Sequence, residues 1–311
     1  KIYPKAMYDR EFIRCFGTSD FDAVIDYSGY GSFYSILLLS AKNAKKLIWQ
    51  HNDLLTDKNK IVNHKKPHSR ELRVVFSTYQ FYDKIVGCSE ATMKVNLEKI
   101  GYSELKDKCC FVRNAANFER VINGSKESYT AESANEAGFP DLLNKDLISF
   151  VNMGRLSPEK NQAALIKAFA KAYDANKNLR LYIIGDGALM GELKDLVHSL
   201  NLDGKVILTG NLDNPFMLMK DCSCFILPSL HEGQPVSLLE ARLLKLPIIM
   251  SNFSSAASSL FDNGQLVIGN SVDDIYNGLI AFINNEVPTC EFEYADYNNI
   301  TIKQFEDIIN E

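Results

Sequence analysis

From residue 147 onward, short apolar runs alternate with helical patterns at regular intervals. No other feature constrains the fold as much. The runs are LISFVNMG (147–154), LRLYIIG (179–185), KVILTG (205–210), CFILPS (224–229), PIIMSN (247–252) and QLVIG (265–269). They are continuous rather than alternately polar, as expected of strands covered on both faces. In the intervening stretch 158–176, Leu165, Ala168, Phe169 and Ala172 follow the i, i+3, i+4, i+7 rule, and Pro158 suits a first helical turn. Strands alternating with helices imply a parallel sheet with helices on both faces. In such sheets ligands collect beyond the carboxyl ends of the strands.

The first 122 residues repeat the theme. AVIDY (23–27), KLIWQH (46–51), KIVGCS (84–89) and CCFVRN (109–114) read as strands; SFYSILLLSAKN (32–43) and EATMKVNLEKIG (90–101) read as helices. Residues 123–146 are rich in Gly, Ser, Asn and Glu and read as a linker. The expected organisation is therefore a Rossmann-like domain over 1–122, a linker over 123–146 and a second doubly wound domain over 147–311, with a ligand in the cleft between the two. The net charge of −5 argues against a polyanion binder, so no nucleic-acid partner is expected. The run SILLLS (35–40) is far short of the roughly 20 residues that span a bilayer. Seven cysteines without a CxxC pair read as reduced, buried thiols, with Cys222 and Cys224 on one face of a strand. The sequence opens on Lys rather than Met, so a fragment of a longer protein is expected.

The stretch HEGQPVSLLEA (231–241) carries two glutamates around the start of a helix. Pro235 has no amide hydrogen and suits the first helical position. Val236 and Ser237 then carry amides with no partner inside the helix, a place that favours a phosphate. Helical side chains lean toward the N-terminus, so the Glu240 carboxylate points the same way. A carboxylate beside a phosphate is repulsive, so a ribose hydroxyl pair attached to that phosphate is the better partner. Glu232 precedes the helix and is placed to meet a group on the other side of the phosphate. In GRLSPEKN (154–161), Arg155 and Lys160 follow the domain's first strand, where a basic pair suits a diphosphate. Taken singly, each of these charges reads as a solvated or capping residue. Together they suit a nucleoside-diphosphate ligand bearing hydroxyls.

GRLSPEKN, LYIIGDGALMGELKDL, VILTGNLDNPFMLMKDCSCFILPSLHEGQPVSLLEA and NGQLV follow one another with the order and spacing of the retaining glycosyltransferases of family 4. The resemblance covers essentially all of 147–285, and its most diagnostic element is the pair Glu232 and Glu240. It implies a GT-B fold of two Rossmann-like domains facing a cleft. It also implies that Arg155 and Lys160 hold a donor diphosphate and Glu240 the ribose. Glu232 would touch the transferred sugar, and the backbone around Asn211 and Leu212 would meet the base. The family usually has EGFG where this chain has EGQP, so Pro235 removes an amide that would face the donor. In the first half, KLIWQHND is similar to the family's strand that ends in a histidine near the sugar, which makes His51 a candidate catalytic residue. The stretch VRNAANFERV departs from the family's N-G-V-D, and no role is carried over from it. The family's glycine-rich first turn is missing, and the opening one or two βα units are expected to be absent.

Weaker signals remain. GDG (185–187) reads as a tight turn rather than a nucleotide motif. The DFD triplet (20–22) precedes an apolar run, whereas a metal-binding triplet of this kind ends one. His64 and His68 are separated by Pro67 and make a poor metal pair. No metal and no cofactor is therefore expected. Residues 58–73 carry six Lys or Arg and one Glu, a stretch suited to an anionic acceptor or an anionic membrane face. The expected function is transfer of a sugar from a nucleoside-diphosphate donor to a glycan or lipid-linked acceptor in cell-surface or capsular glycan synthesis. The expected setting is the cytoplasm, with peripheral contact at the inner face of the membrane. The competing readings are a non-catalytic partner subunit of the same fold and another GT-B enzyme such as a nucleotide-sugar epimerase.

Overall fold

The computed structural model describes residues 5–60, 65–101, 103–252, 264–289 and 292–310. The chain divides into two compact units, one of Lys1–Ala115 with Asp296–Glu311 and one of Ala116–Ala295.

In the first unit β1 (Ala23–Asp26), β2 (Lys45–Gln50), β3 (Lys84–Gly87) and β4 (Cys109–Phe111) form a parallel sheet in the order β1-β2-β3-β4. Each falls on a run read from the sequence, β2 starting one residue ahead of its run. Among the described residues this sheet keeps sequential order, without the reversal expected of a doubly wound domain. Its two faces are consequently covered by different means. Ile48 and Ile85 pack under Leu72, Val75, Phe76 and Tyr79, residues that follow β2 in the chain. On the opposite face Leu47, Trp49, Val86 and Val112 are covered by Ile308 and Phe305, from the helix Tyr297–Asn310. The Trp49 and Phe305 rings lie 6.1 Å apart. The last helix thus belongs to the first unit, not to the second domain expected from the sequence. The helix Glu90–Ile100 shows how local chemistry sets an end. Ser89 caps it by accepting the Thr92 amide at 3.1 Å, and Gly101 closes it at φ 78°, a left-handed conformation that glycine adopts without penalty.

In the second unit β5 (Ile148–Met153), β6 (Leu179–Ile184), β7 (Val206–Gly210), β8 (Cys224–Leu227), β9 (Ile248–Ser251) and β10 (Leu266–Ile268) form a parallel sheet in the order β10-β9-β8-β5-β6-β7. The order reverses between β5 and β8, so this sheet is doubly wound. The strands β6, β8 and β9 are buried on both faces, as continuous apolar runs require, while the edge strands β7 and β10 are partly exposed. The helix Gln162–Ala175 buries Leu165, Ile166, Ala168, Phe169 and Ala172 against one face, beside Ile275 and Leu279 of the helix Val272–Ile283. Cys222 and Cys224 are free, buried thiols, and burial pushes both thiol pKa values well up.

Residues 123–146 are not a linker. The helices Phe118–Lys126 and Ala131–Glu136 occupy much of the stretch, and Phe139 and Leu142 are buried in the second unit. Its polar residues act as caps. Thr130 and Ser133 form a reciprocal capping box at the start of the second helix. Arg180 Nε, on β6, donates to Asp141 at 2.5 Å, and Phe139 meets Tyr182 edge to face at 5.9 Å. Phe139→Ala should therefore destabilise the protein by about 3–5 kcal/mol, and Ile308→Ala by about 2–5 kcal/mol. Urea unfolding checks both. A change near zero at Phe139 would restore the linker reading, and one at Ile308 would detach the last helix from the first sheet.

Candidate functional site

Reversal of strand order between β5 and β8 sends their following connections apart and leaves a crevice at their carboxyl ends. Two loops border it. The loop after β5 runs through Gly154 and Arg155 to the short 3-10 turn Pro158–Lys160. The loop after β8 leads to the helix Val236–Leu243. The loops are fastened to each other. The Leu230 amide donates to the Glu159 carbonyl at 2.8 Å. Asn161, at φ 58°, donates its side-chain amide to the carbonyls of Pro228 at 3.1 Å and Asn270 at 2.9 Å. Lys160 Nζ donates to Glu232 Oε1 at 2.6 Å, and Ser229 Oγ donates to the same oxygen at 2.7 Å. Lys160 and Glu232, predicted from different motifs, thus meet as a largely buried ion pair. The expectation set Lys160 beside Arg155 on a phosphate; from the turn 158–160 its ammonium also reaches Glu232.

Beside this pair lies a cavity of about 450 Å³, lined by Arg155, Asn211, Leu212 and Glu240 together with Arg120, Asp186, Phe216 and neighbouring backbone. Four of the predicted donor-binding residues are brought together from two separate loops and a helix. Gly154 also lines it, and the stem of Lys160 runs past, 3.5 Å from where a Cβ on Gly154 would stand. The GDG turn fits because two backbones touch there. A Cβ on Gly185, at φ 132°, would lie 2.2 Å from the Gly154 carbonyl oxygen, and one on Gly187 2.3 Å from that of Leu156. Asp186, between them, faces the cavity.

Glu240 is partly buried on the cavity wall. Burial pushes its carboxyl pKa up from the ordinary value, and the charge of Arg120 draws it part of the way back. The helix Val236–Leu243 begins one residue later than expected. Pro235 is its cap at φ −74° and ψ 111°, so Val236 and Ser237 are the first two helical residues, with Leu238 donating to the Pro235 carbonyl at 3.1 Å. Their amides remain the free first donors of the helix, although neither side chain lines the cavity. Arg120, Asp186 and Phe216 escaped the sequence reading. Arg120 sits in NFER, a stretch assigned to the other domain, and nothing local marks it.

The remaining candidates belong to the first unit. His51 follows β2, its Nε2 donates to the Tyr27 carbonyl at 2.5 Å, and its ring meets the Tyr27 ring at 4.7 Å. The acceptor fixes the proton on Nε2 and leaves Nδ1 as the open nitrogen. DFD lies at the amino end of β1, the opposite edge from that where ligands collect. Of the basic stretch 58–73, residues 61–64, including His64, lie outside the described residues. Lys65, Lys66, Arg70 and Arg73 are exposed, while Glu71 accepts from Ser32. Among the described residues no helix is long and apolar enough to cross a membrane.

The family model Glycosyl transferases group 1 matches residues 135–299. The chain belongs to this family. An uncharacterized glycosyltransferase of Methanocaldococcus jannaschii is 28% identical over 259 residues, covering 83% of this chain and 60% of that protein. The N-acetylgalactosamine-N,N'-diacetylbacillosaminyl-diphospho-undecaprenol 4-alpha-N-acetylgalactosaminyltransferase of Campylobacter jejuni is 30% identical over 198 residues, 62% of this chain and 50% of its own length. The chain thus spans about half to three fifths of these two curated relatives. Among solved structures, Anabaena HepE in complex with UDP and glucose superposes with a TM-score of 0.72 at 15% identity, covering 98% of this chain and 79% of that one. That likeness establishes the GT-B fold for this group 1 chain.

The pKa shift at Glu240 gives a stability test. In the unfolded chain the carboxyl titrates near its ordinary 4.5, and in the folded chain higher. The stability linked to this group is fully present below the unfolded pKa and is lost as pH rises through the folded one. Glu240→Gln should therefore raise the Tm of the ligand-free protein near pH 7 and leave it little changed near pH 4. Thermal melts at the two pH values check this. An equal shift at both would assign the effect to packing instead.

Proposed function

We propose that this protein is a retaining glycosyltransferase of family 4, moving a sugar from a nucleoside-diphosphate donor to an acceptor hydroxyl. One observation carries the reading: Arg155, Asn211, Leu212 and Glu240, drawn from distant segments, line a single cavity beside the Lys160–Glu232 pair. In this reading Glu240 accepts from the ribose hydroxyls, and the backbone at Asn211 and Leu212 meets the base. Arg155, Lys160 and the amides of Val236 and Ser237 surround the diphosphate. As the glycosidic bond breaks, negative charge grows on the leaving phosphate, and this cationic surround stabilises it without a metal. Glu232, neutralised by Lys160, faces the transferred sugar. Attack comes from the same face as departure, with a phosphate oxygen taking the acceptor proton. His51 contributes a hydrogen bond through Nδ1 to a sugar hydroxyl.

Relatives support the acceptor class. The Campylobacter enzyme above and the Escherichia coli UDP-Gal:alpha-D-GlcNAc-diphosphoundecaprenol alpha-1,3-galactosyltransferase are both named for undecaprenol-diphosphate-linked sugars. We extend that class, a lipid-linked or growing glycan, to this chain. The reading also places the protein in the cytoplasm, with the exposed cations at 65–73 against an anionic membrane face.

Incubation with a panel of UDP, GDP, ADP and CDP sugars should give slow nucleotide release with one of them, and EDTA should not abolish it. Binding of a nucleotide sugar without turnover, even with lipid-linked acceptor, would favour a non-catalytic subunit. Glu240→Ala should weaken nucleoside and nucleoside diphosphate alike by about 1.5–3 kcal/mol, the worth of a hydrogen bond to a charged group. Arg155→Ala and Lys160→Ala should weaken the diphosphate and spare the nucleoside. Calorimetry on both ligands decides, and loss confined to the diphosphate in Glu240→Ala would sink the ribose assignment. His51→Ala should lower turnover about tenfold or more with nucleotide affinity unchanged, and His51→Asn should recover part of it. Wild-type turnover in His51→Ala would reduce the residue to a cap on the Tyr27 carbonyl.

A further inference from the structure

The cavity wall opposite the crevice is built by the helix Phe118–Lys126, which the motifs of the second unit do not include. That helix is fastened in place. Asn117 caps it by accepting the Arg120 amide at 3.0 Å. Asn214 donates to the Gly124 carbonyl at 3.0 Å, and Lys220 to that of Ser125 at 2.8 Å. Arg120 projects into the cavity with its guanidinium constrained twice. Nη2 donates to the Asp213 carbonyl at 3.2 Å, and the group lies 5.6 Å from the centre of the Phe216 ring. Phe216 is itself buried. Arg120 and Glu240 line the same cavity from two helices that pack on each other.

We infer that Arg120 is a positioning residue for Glu240: held by Asp213 and Phe216, its guanidinium supplies the countercharge that keeps both Glu240 oxygens available as acceptors. The consequence for ribose rests on the donor-binding reading above; the pairing itself does not. A half-buried carboxylate without a countercharge takes up a proton and becomes a donor at one oxygen, which disrupts a site that must accept from two hydroxyls. The other charged groups around Glu240 do not supply this. On the helix Phe118–Lys126, Lys126 donates to Asn123, and Glu119 has the wrong sign. On Glu240's own helix, the buried Arg242 donates to the Gly264 carbonyl and to Gln265. Strand β9, under the same helix, carries no charge. Across the cavity stand Arg155 and Asp186, of opposite sign to each other. Arg120 is left as the cation that shares the cavity with Glu240 from a helix packed on its own.

The test is direct titration of Glu240 by carbon-detected NMR on protein labelled at glutamate carboxyls, with Glu240→Gln assigning the resonance. Arg120→Gln keeps most of the stem and removes the charge. It should raise the Glu240 midpoint, as loss of a nearby opposite charge does. Arg120→Lys keeps the charge and should leave the midpoint near wild type, which separates charge from packing. An unchanged midpoint in folded Arg120→Gln, or equal shifts in both variants, overturns the inference. For whichever nucleoside diphosphate of the panel binds, Arg120→Gln should move the acid-side loss of affinity to higher pH. In a Glu240→Gln background, Arg120→Gln should leave the pH profile unmoved. If Glu240→Gln binds the nucleotide as well as wild type, the ribose reading fails while a shifted midpoint still upholds the Arg120 pairing.

Discussion

The second unit owes its cavity to the position of one strand. β5 is hydrogen-bonded to β6 on one side and to β8 on the other, so the first strand of the unit lies in the middle of the sheet. Connections leaving β5 and β8 must part to reach opposite faces. The space they vacate is lined by Arg155 and Asp186, which follow strands, and by Arg120 and Glu240, which stand on helices. The Lys160–Glu232 pair joins the two borders of that space, and the Asn161 amide joins both to the strand beyond. The site is thus held by cross-links between loops whose origins are rigid.

The ten strands among the described residues were legible because covered strands of a parallel sheet are continuous apolar runs, and most of these runs ended in a Gly, Ser or Asn turn. What escaped was context. Residues 123–146 have the composition of a linker, yet their Thr, Ser and Asn act as caps for short helices, and a few apolar residues such as Phe139 and Leu142 suffice to anchor them. Polar composition cannot separate a solvated segment from a sequence of capped turns. The last helix was assigned to the wrong unit because its apolar face, with Phe305 and Ile308, states only that it needs a partner. Its partner is fixed by the sequential order of the first sheet, which leaves one face without a crossover helix.

The candidate site divides in the same way. Glu240 and Arg155 were found because each stands at a fixed offset from a helix start or strand end, and Asn211 and Leu212 through the family resemblance. Arg120 has no such offset. Its relation to Glu240 exists only after the two helices pack, and its neighbours Asn117 and Phe118 resemble a cap and a core residue anywhere. The displacement of Pro235 by one position shows the limit of helix-start chemistry: proline tolerates both the cap and the first turn, because neither place needs its amide.

The return of the helix Tyr297–Asn310 to the first sheet makes the second unit an insertion within the first. Two chain segments join the units, near residues 115 and 295. During synthesis the whole of residues 116–295 emerges before the helix that covers Trp49, Val86 and Leu47 exists. Since domains fold as units on the nascent chain, the second unit completes its core first. The first sheet waits with one apolar face bare until residues 297–310 arrive. Loss of that helix therefore damages a sheet made well before it.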